Sequence, residues 1–157
     1  MTRVAVLVEG PTEGEFVKGI LARHLLERGV YAFERPLGGD VSVYKMARDI
    51  RQYSRSFDAV TSLVDYYGFT GKKNLGVEQL ERRVSAEARN RMPGGTKCII
   101  CPYVQRHEFE GLLFSDVEAF GQLPEVTAAT VRRLKRIRNR FHTPEDINDG
   151  FTTAPSK

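Results

Sequence analysis

The segment Arg3-Val4-Ala5-Val6-Leu7-Val8-Glu9-Gly10-Pro11-Thr12-Glu13-Gly14-Glu15-Phe16 decides the fold class. Arg3 to Val8 is a nearly continuous apolar run, the pattern of a strand covered on both faces. It stops at Glu9-Gly10-Pro11. Thr12 and Glu15 then stand at the spacing of a capping box, and Phe16, Val17, Ile20, Leu21 and Leu25 follow at helical intervals. A strand therefore feeds a helix of about four turns, which Gly29 ends.

The same alternation continues along the chain. Val30 to Phe33 reads as a short second strand, Gly38-Gly39-Asp40 as a turn, and Val41 to Val43 as a short extended piece. Tyr44 to Tyr53 carries Met46, Ala47 and Ile50 at helical positions. Ala59 to Val64 is a further apolar run that stops at Asp65. A Gly- and Lys-rich loop, 68–74, precedes a helix with Val77, Leu80, Val84 and Ala88 on one face, broken by Pro93-Gly94-Gly95. Cys98 to Val104 is the next strand, Glu108 to Phe114 resumes helical spacing, and Ser115 or Asp116 caps another short helix. Val131, Leu134, Ile137 and Phe141 mark the apolar stripe of a basic helix, and the sequence turns loop-like from Pro144. Strands alternating with helices predict an α/β fold with a mainly parallel sheet and helices on both faces. In such sheets, sites gather outside the carboxyl ends of the strands.

The chain has 157 residues, of which 41% are hydrophobic and 28% charged, the mix of one globular domain spanning 1–157. No stretch approaches the roughly 20 apolar residues of a membrane helix, so no membrane partner is expected. The N-terminus runs straight into a strand without a signal-peptide pattern, and a cytoplasmic location is the expectation. A net charge of +4 permits contact with a polyanion without identifying one. Cys98 and Cys101 lie three apart in a strand-like run and point to opposite faces, which predicts two small core residues rather than a redox or metal pair.

Three strands end in acids: Glu9 after the first, Asp65 after another, and Glu108 and Glu110 beyond the last. The turn at Glu9 lacks the glycine and lysine patterns of dinucleotide and P-loop sites. Glu9 would repel a phosphate unless a cation stood between them. Mg2+, with Mn2+ as a substitute, takes oxygen ligands, keeps waters and bridges carboxylates to phosphate. His107-Glu108-Phe109-Glu110-Gly111 lacks the second His of a zinc-protease helix, leaving His107 as a proton carrier, a phosphate contact or an ordinary hydrogen-bonded histidine.

Val8-Glu9-Gly10-Pro11-Thr12-Glu13 together with Val64-Asp65-Tyr66-Tyr67-Gly68 resembles the Toprim domain of topoisomerases, bacterial primases and nucleases of the overcoming-lysogenisation-defect group. With the run from Gln105 to Asp116 and the ending Ile147-Asn148-Asp149-Gly150 through Ala154-Pro155-Ser156-Lys157, the chain is similar to an uncharacterised bacterial Toprim-like family, the domain-of-unknown-function family numbered 4276. The resemblance implies a Toprim-like fold, with Glu9 the acid or base at the nucleic-acid backbone and Asp65 a metal ligand. It implies that Glu13 is a second acid of the nuclease branch, beside the plain reading of an acid in the first helical turn favoured by the dipole. The usual Asp-x-Asp is Asp65-Tyr66-Tyr67 here, so either Glu108 or Glu110 completes the site, or it holds metal weakly or is not catalytic; of the two glutamates Glu108 is favoured, giving the metal set Glu9, Asp65 and Glu108. Lys157 is a candidate for the lysine of nuclease-type sites; family members are expected to continue past it, so the chain reads as a truncation or a naturally short member. The resemblance also implies an ATPase partner protein in prophage or defence settings.

Arg132, Arg133, Lys135, Arg136, Arg138 and Arg140 crowd one predicted helix without an acid among them. They read as a nucleic-acid surface, a solvated face or a site for an acidic partner. Lys72 and Lys73, in the loop after Asp65, are further candidates for backbone phosphate. Two functions follow: a Mg2+-dependent, phosphodiester-cleaving nuclease or nuclease subunit, and a non-catalytic Toprim-like interaction module with a degenerate metal site.

Overall fold

The computed structural model describes residues 1–106, 109–144 and 147. The chain divides into two compact units, Met1–Gln105 and Arg106–Lys157. The first unit contains β1 (Thr2–Val8), α1 (Pro11–Phe16), a π-helical stretch Val17–Leu21, α2 (Ala22–Leu26) and β2 (Val30–Pro36). It continues with α3 (Val43–Tyr53), β3 (Ala59–Asp65), α4 (Val77–Arg91), β4 (Ile99–Cys101) and β5 (Val104–Gln105). The strand order is β2-β1-β3-β4, with β5 also on β3, and every strand pair is parallel.

Alternation along β1 divides the layers. Ala5 and Leu7 join Val60, Val64, Met46, Ala47, Ile50, Leu80 and Val84 in the main core, so α3 and α4 cover this face. Val6 and Val8 point the other way and are also buried, with Gly14 of α1 against the Val8 side chain. The fold is thus α/β, with helices on both faces of a parallel sheet. Removing side chains such as Leu7, Leu80 and Ile50 from water stabilises it by about 1.5–3 kcal/mol each. Among the described residues no helix is long and apolar enough to cross a membrane.

Several local details differ from the sequence expectation. The first helix begins at Pro11, and Gly10 is its cap. Proline suits the first helical position because its missing N–H is one that the helix leaves unbonded anyway. The Glu13 carboxylate, rather than that of Glu15, accepts the N–H of the cap residue, Gly10, at 3.1 Å. The second strand runs on to Pro36, pairing in register from Thr2↔Val30 to Val8↔Pro36. A proline is tolerated there because β2 lies at the sheet edge.

The expected strand from Cys98 to Val104 is split at Pro102, which has no N–H for a ladder bond. The Ser62 hydroxyl fills the gap, donating to the Tyr103 carbonyl at 2.8 Å and accepting the Tyr103 N–H at 2.9 Å. Pairing then resumes at Val64↔Val104 and Asp65↔Gln105. Nor are both cysteines core residues: Cys98 is half-buried and Cys101, on edge strand β4, is exposed. Burial, assisted by Asp58, pushes the Cys98 thiol upward.

In the second unit, 3-10 turns at Phe109–Ser115 and Val117–Gln122 precede α5 (Ala128–Arg138). Asp116 caps the second turn and Thr127 caps α5 through their side-chain oxygens. Val117 and Val131 are buried, and Gly121 lies against the Val131 side chain.

Candidate functional site

In the first unit the chain runs from β1 to β2 on one side, then returns past β1 to β3 on the other. The carboxyl ends of β1 and β3 therefore flank a topological switch point, where parallel sheets open a crevice between diverging connections. Glu9 is the first residue after β1, and Asp65 is the last residue of β3. The two meet. Oε2 of Glu9 accepts the backbone N–H of Asp65 at 3.2 Å, across 56 positions of sequence. Both residues are partly buried, and Oδ1 of Asp65 is closed off from solvent.

The third wall is Gly68. A methyl group built on its α-carbon would lie 2.2 Å from Oε1 of Glu9 and 2.9 Å from Cδ and Oε2. The Glu9 carboxylate thus occupies the volume that any other residue at 68 would claim. Gln105, opposite Asp65 in the sheet, supplies the adjoining wall: it is buried, its carbonyl accepts the Tyr66 N–H at 2.8 Å, and its side-chain oxygen accepts the Tyr103 hydroxyl at 2.7 Å. Gly68 and Gln105 both fall within the sequence motifs that carry the resemblance, but sequence alone gives neither a role in the site. The signal for Gly68 was its place three residues after an acid at a strand end; Gln105 carries no chemistry that would mark it in a sequence.

Glu13 caps the helix start through Gly10, as described above, which supports its first-turn reading. Lys72 faces inward on its own loop. Its ammonium donates to the Tyr66 carbonyl at 2.9 Å and the Tyr67 carbonyl at 3.2 Å, and it lies 4.4 Å from the Tyr66 ring centroid. It closes the loop, whereas Lys73 is exposed, with backbone φ +43°. Tyr67, standing where an Asp-x-Asp pattern has its second acid, is 54% exposed and packs edge-on against Tyr66.

His107, Glu108 and Lys157 lie outside the described residues. Among the described residues no cluster of three or more His, Cys, Asp or Glu side chains could cage a metal ion. Glu9 and Asp65, adjacent through the Asp65 N–H, offer a cation carboxylate oxygens alone. That set suits Mg2+, which commonly takes one or two carboxylates, retains waters and leaves positions for substrate phosphate. It does not suit a structural zinc ion, which needs four ligands, usually sulfur or nitrogen.

In the second unit, Arg132, Arg133, Arg136 and Arg140 are exposed and form no ion pair among the described residues. Lys135 is paired with Glu118, and Arg138 donates to the Phe141 carbonyl at 3.0 Å. The basic run of the sequence thus separates into two cations held by neighbours and four presented outward.

A model of the domain-of-unknown-function family DUF4276 matches residues 8–157, and the chain belongs to that family. No match was found among curated proteins.

Proposed function

We propose that this DUF4276 member is a cytoplasmic, Mg2+-dependent nuclease or nuclease subunit that cleaves phosphodiesters, with a Toprim-like site built on Glu9 and Asp65. The observation that carries the reading is the meeting of these two acids at the switch point of a parallel sheet, held by the 3.2 Å bond between them. Glu9 accepts the Asp65 N–H, and partly buried carboxylates at one sheet edge carry charge that a bound cation would offset. When bound, Mg2+ would lower the pKa of a bound water and offset charge on the leaving oxygen.

The remaining work falls to the chain itself. Asp65 and Glu9 hold the cation, and Glu108 is the candidate for a further ligand. Glu9, with Oε2 fixed by the Asp65 N–H, has Oε1 to accept or return a proton at the phosphodiester. Glu13 orients this turn from the helix start. His107 is a candidate proton carrier. Arg132, Arg133 and Arg136 would attract backbone phosphate, and an ATPase partner is the candidate trigger.

The test is cleavage of a mixed DNA and RNA pool with Mg2+ or Mn2+, with and without chelator. Glu9→Gln and Asp65→Asn should each reduce cutting by orders of magnitude, since each removes a charge that anchors the cation or moves the proton. Mg2+ should also raise the melting temperature of wild type more than that of Asp65→Asn. Wild type that neither cuts nor responds to either metal would overturn the reading. The exposed Tyr67 in place of a second acid favours the interaction-module alternative, which takes over in that case.

A further inference from the structure

The nuclease reading leaves unused a cationic cavity in the first unit. It has a volume of about 310 Å3 and is lined by Ser42, Tyr44, Thr70, Lys73, Arg83 and Glu87. Its acid is already matched: Glu87 accepts two bonds from Arg91, at 2.8 and 2.5 Å. Lys73 and Arg83 are exposed and form no ion pair among the described residues, so the cavity presents net positive charge. The same Arg91 lies 4.3 Å from the ring centroid of Tyr44, and it fixes a ring that remains 62% exposed.

The cavity is joined to the carboxylate pair by a short, tied loop. Gly68 touches Glu9, and Gly71 lines the cavity three residues later, a span of at most about 11 Å. That is about three stacked nucleotides at 3.4 Å each. The loop is held by Lys72 on the Tyr66 and Tyr67 carbonyls, by the Tyr66 hydroxyl on the Leu75 carbonyl at 2.9 Å, and by the Thr70 N–H on the Val41 carbonyl at 2.7 Å. The backbone that carries Lys73 is therefore tied on both sides, at Thr70 and Lys72 before it and at Leu75 after it.

An exposed aromatic platform beside two cations is the arrangement that holds single strands, where bases stack on rings and phosphates meet positive charge. Bases paired within a duplex have no free face to offer Tyr44. We infer that this cavity is a subsite for single-stranded nucleic acid, with Tyr44 stacking a base and Lys73 and Arg83 contacting the adjoining phosphates. The inference rests on the nuclease reading for its purpose: it selects single strands, or frayed ends, as the substrate that reaches Glu9 and Asp65.

The test is binding, measured in chelator so that no cutting intervenes. Labelled six-nucleotide DNA and RNA single strands, and a DNA duplex of the same sequence, are titrated by fluorescence anisotropy across a salt series. Single strands of one or both sugars should bind more tightly than duplex. Tyr44→Ala should weaken them by about tenfold or more, whereas Tyr44→Phe, which keeps the ring, should restore them. Lys73→Ala should reduce the slope of log affinity against log salt by about 0.7, as expected when one phosphate contact is lost on a single strand. Equal affinity for single strand and duplex, or Tyr44→Ala binding like wild type, would overturn the subsite. Metal-dependent cutting that is indifferent to Tyr44→Ala would leave the nuclease standing without it. Tyr44-dependent binding by a protein that never cuts would leave the subsite standing without the nuclease.

Discussion

Gly68→Ala isolates the position of the Glu9 carboxylate from its charge. The added methyl group would stand 2.2 Å from Oε1, and ordinary contact begins near 3.4 Å, so the carboxylate must retreat by about 1.2 Å. That retreat draws Oε2 off the Asp65 N–H, already at 3.2 Å. The cost to stability is small, because the displaced atoms are the end of a flexible, partly exposed side chain. A hydrogen bond to a charged group contributes about 1.5–3 kcal/mol, and much of that returns when the carboxylate finds water. The alanine also restricts the unfolded chain, offsetting about 0.4–1 kcal/mol. Melting should therefore shift by a few degrees at most. Function should change far more, since a misplacement of about 1 Å in a reacting group can lower a rate 100-fold. The assay compares Mg2+-dependent cleavage and the Mg2+-induced rise in melting temperature between wild type and Gly68→Ala. Full cleavage and a full response to Mg2+ in the variant would show that the packing of Glu9 against Gly68 has no part in the site.

Lys72→Met should destabilise the first unit by about 1–2 kcal/mol, through loss of its two carbonyl bonds and its contact with the Tyr66 ring, seen as a lower urea midpoint. Its salt slope for nucleic-acid binding should match wild type, and a flattened slope would return Lys72 to the phosphate-contact reading. Replacing Arg132, Arg133 and Arg136 together with Ala should weaken binding of long nucleic acid and flatten its salt dependence by up to about two to three units. Unchanged binding across the salt series would make them a solvated face.

The elements that were legible in the sequence are those whose residues answer to burial alone. β1 reads as a nearly continuous apolar run and β3 as an apolar run interrupted only by the small Thr61 and Ser62, and α3 and α4 display their core positions at helical spacing. The acids at the strand ends were legible for the same reason, since a charge that interrupts such a run marks where the sheet meets solvent. Details set by partners far along the chain were hidden. The second strand extends to Pro36 because β1 offers it a full-length partner, which nothing in Val30 to Pro36 announces. The break at Pro102 is bridged by Ser62, 41 residues from the Tyr103 it bonds. The shift of the cap from Thr12 to Gly10 has a different origin: two signals competed, and proline at the first helical position prevailed over the Thr12–Glu15 spacing.

Gly68 carries this reasoning furthest, because its role joins local and distant constraints. Locally it belongs to a loop of Gly and Lys residues that would pass for an exposed connection. Its meaning comes from Glu9, 59 positions earlier, whose carboxylate fills the space beside its α-carbon. The same short loop leaves Asp65, passes Glu9 at Gly68, and reaches the cavity of Tyr44 and Arg83 at Gly71 and Lys73. Lys72 faces inward to hold that path while Lys73 faces outward from it. A loop needed only to join β3 to α4 would require neither the close approach at 68 nor two adjacent lysines with opposite duties. Both follow if the loop must fix a carboxylate at one end and present a cation at the other, separated by a few nucleotides' length.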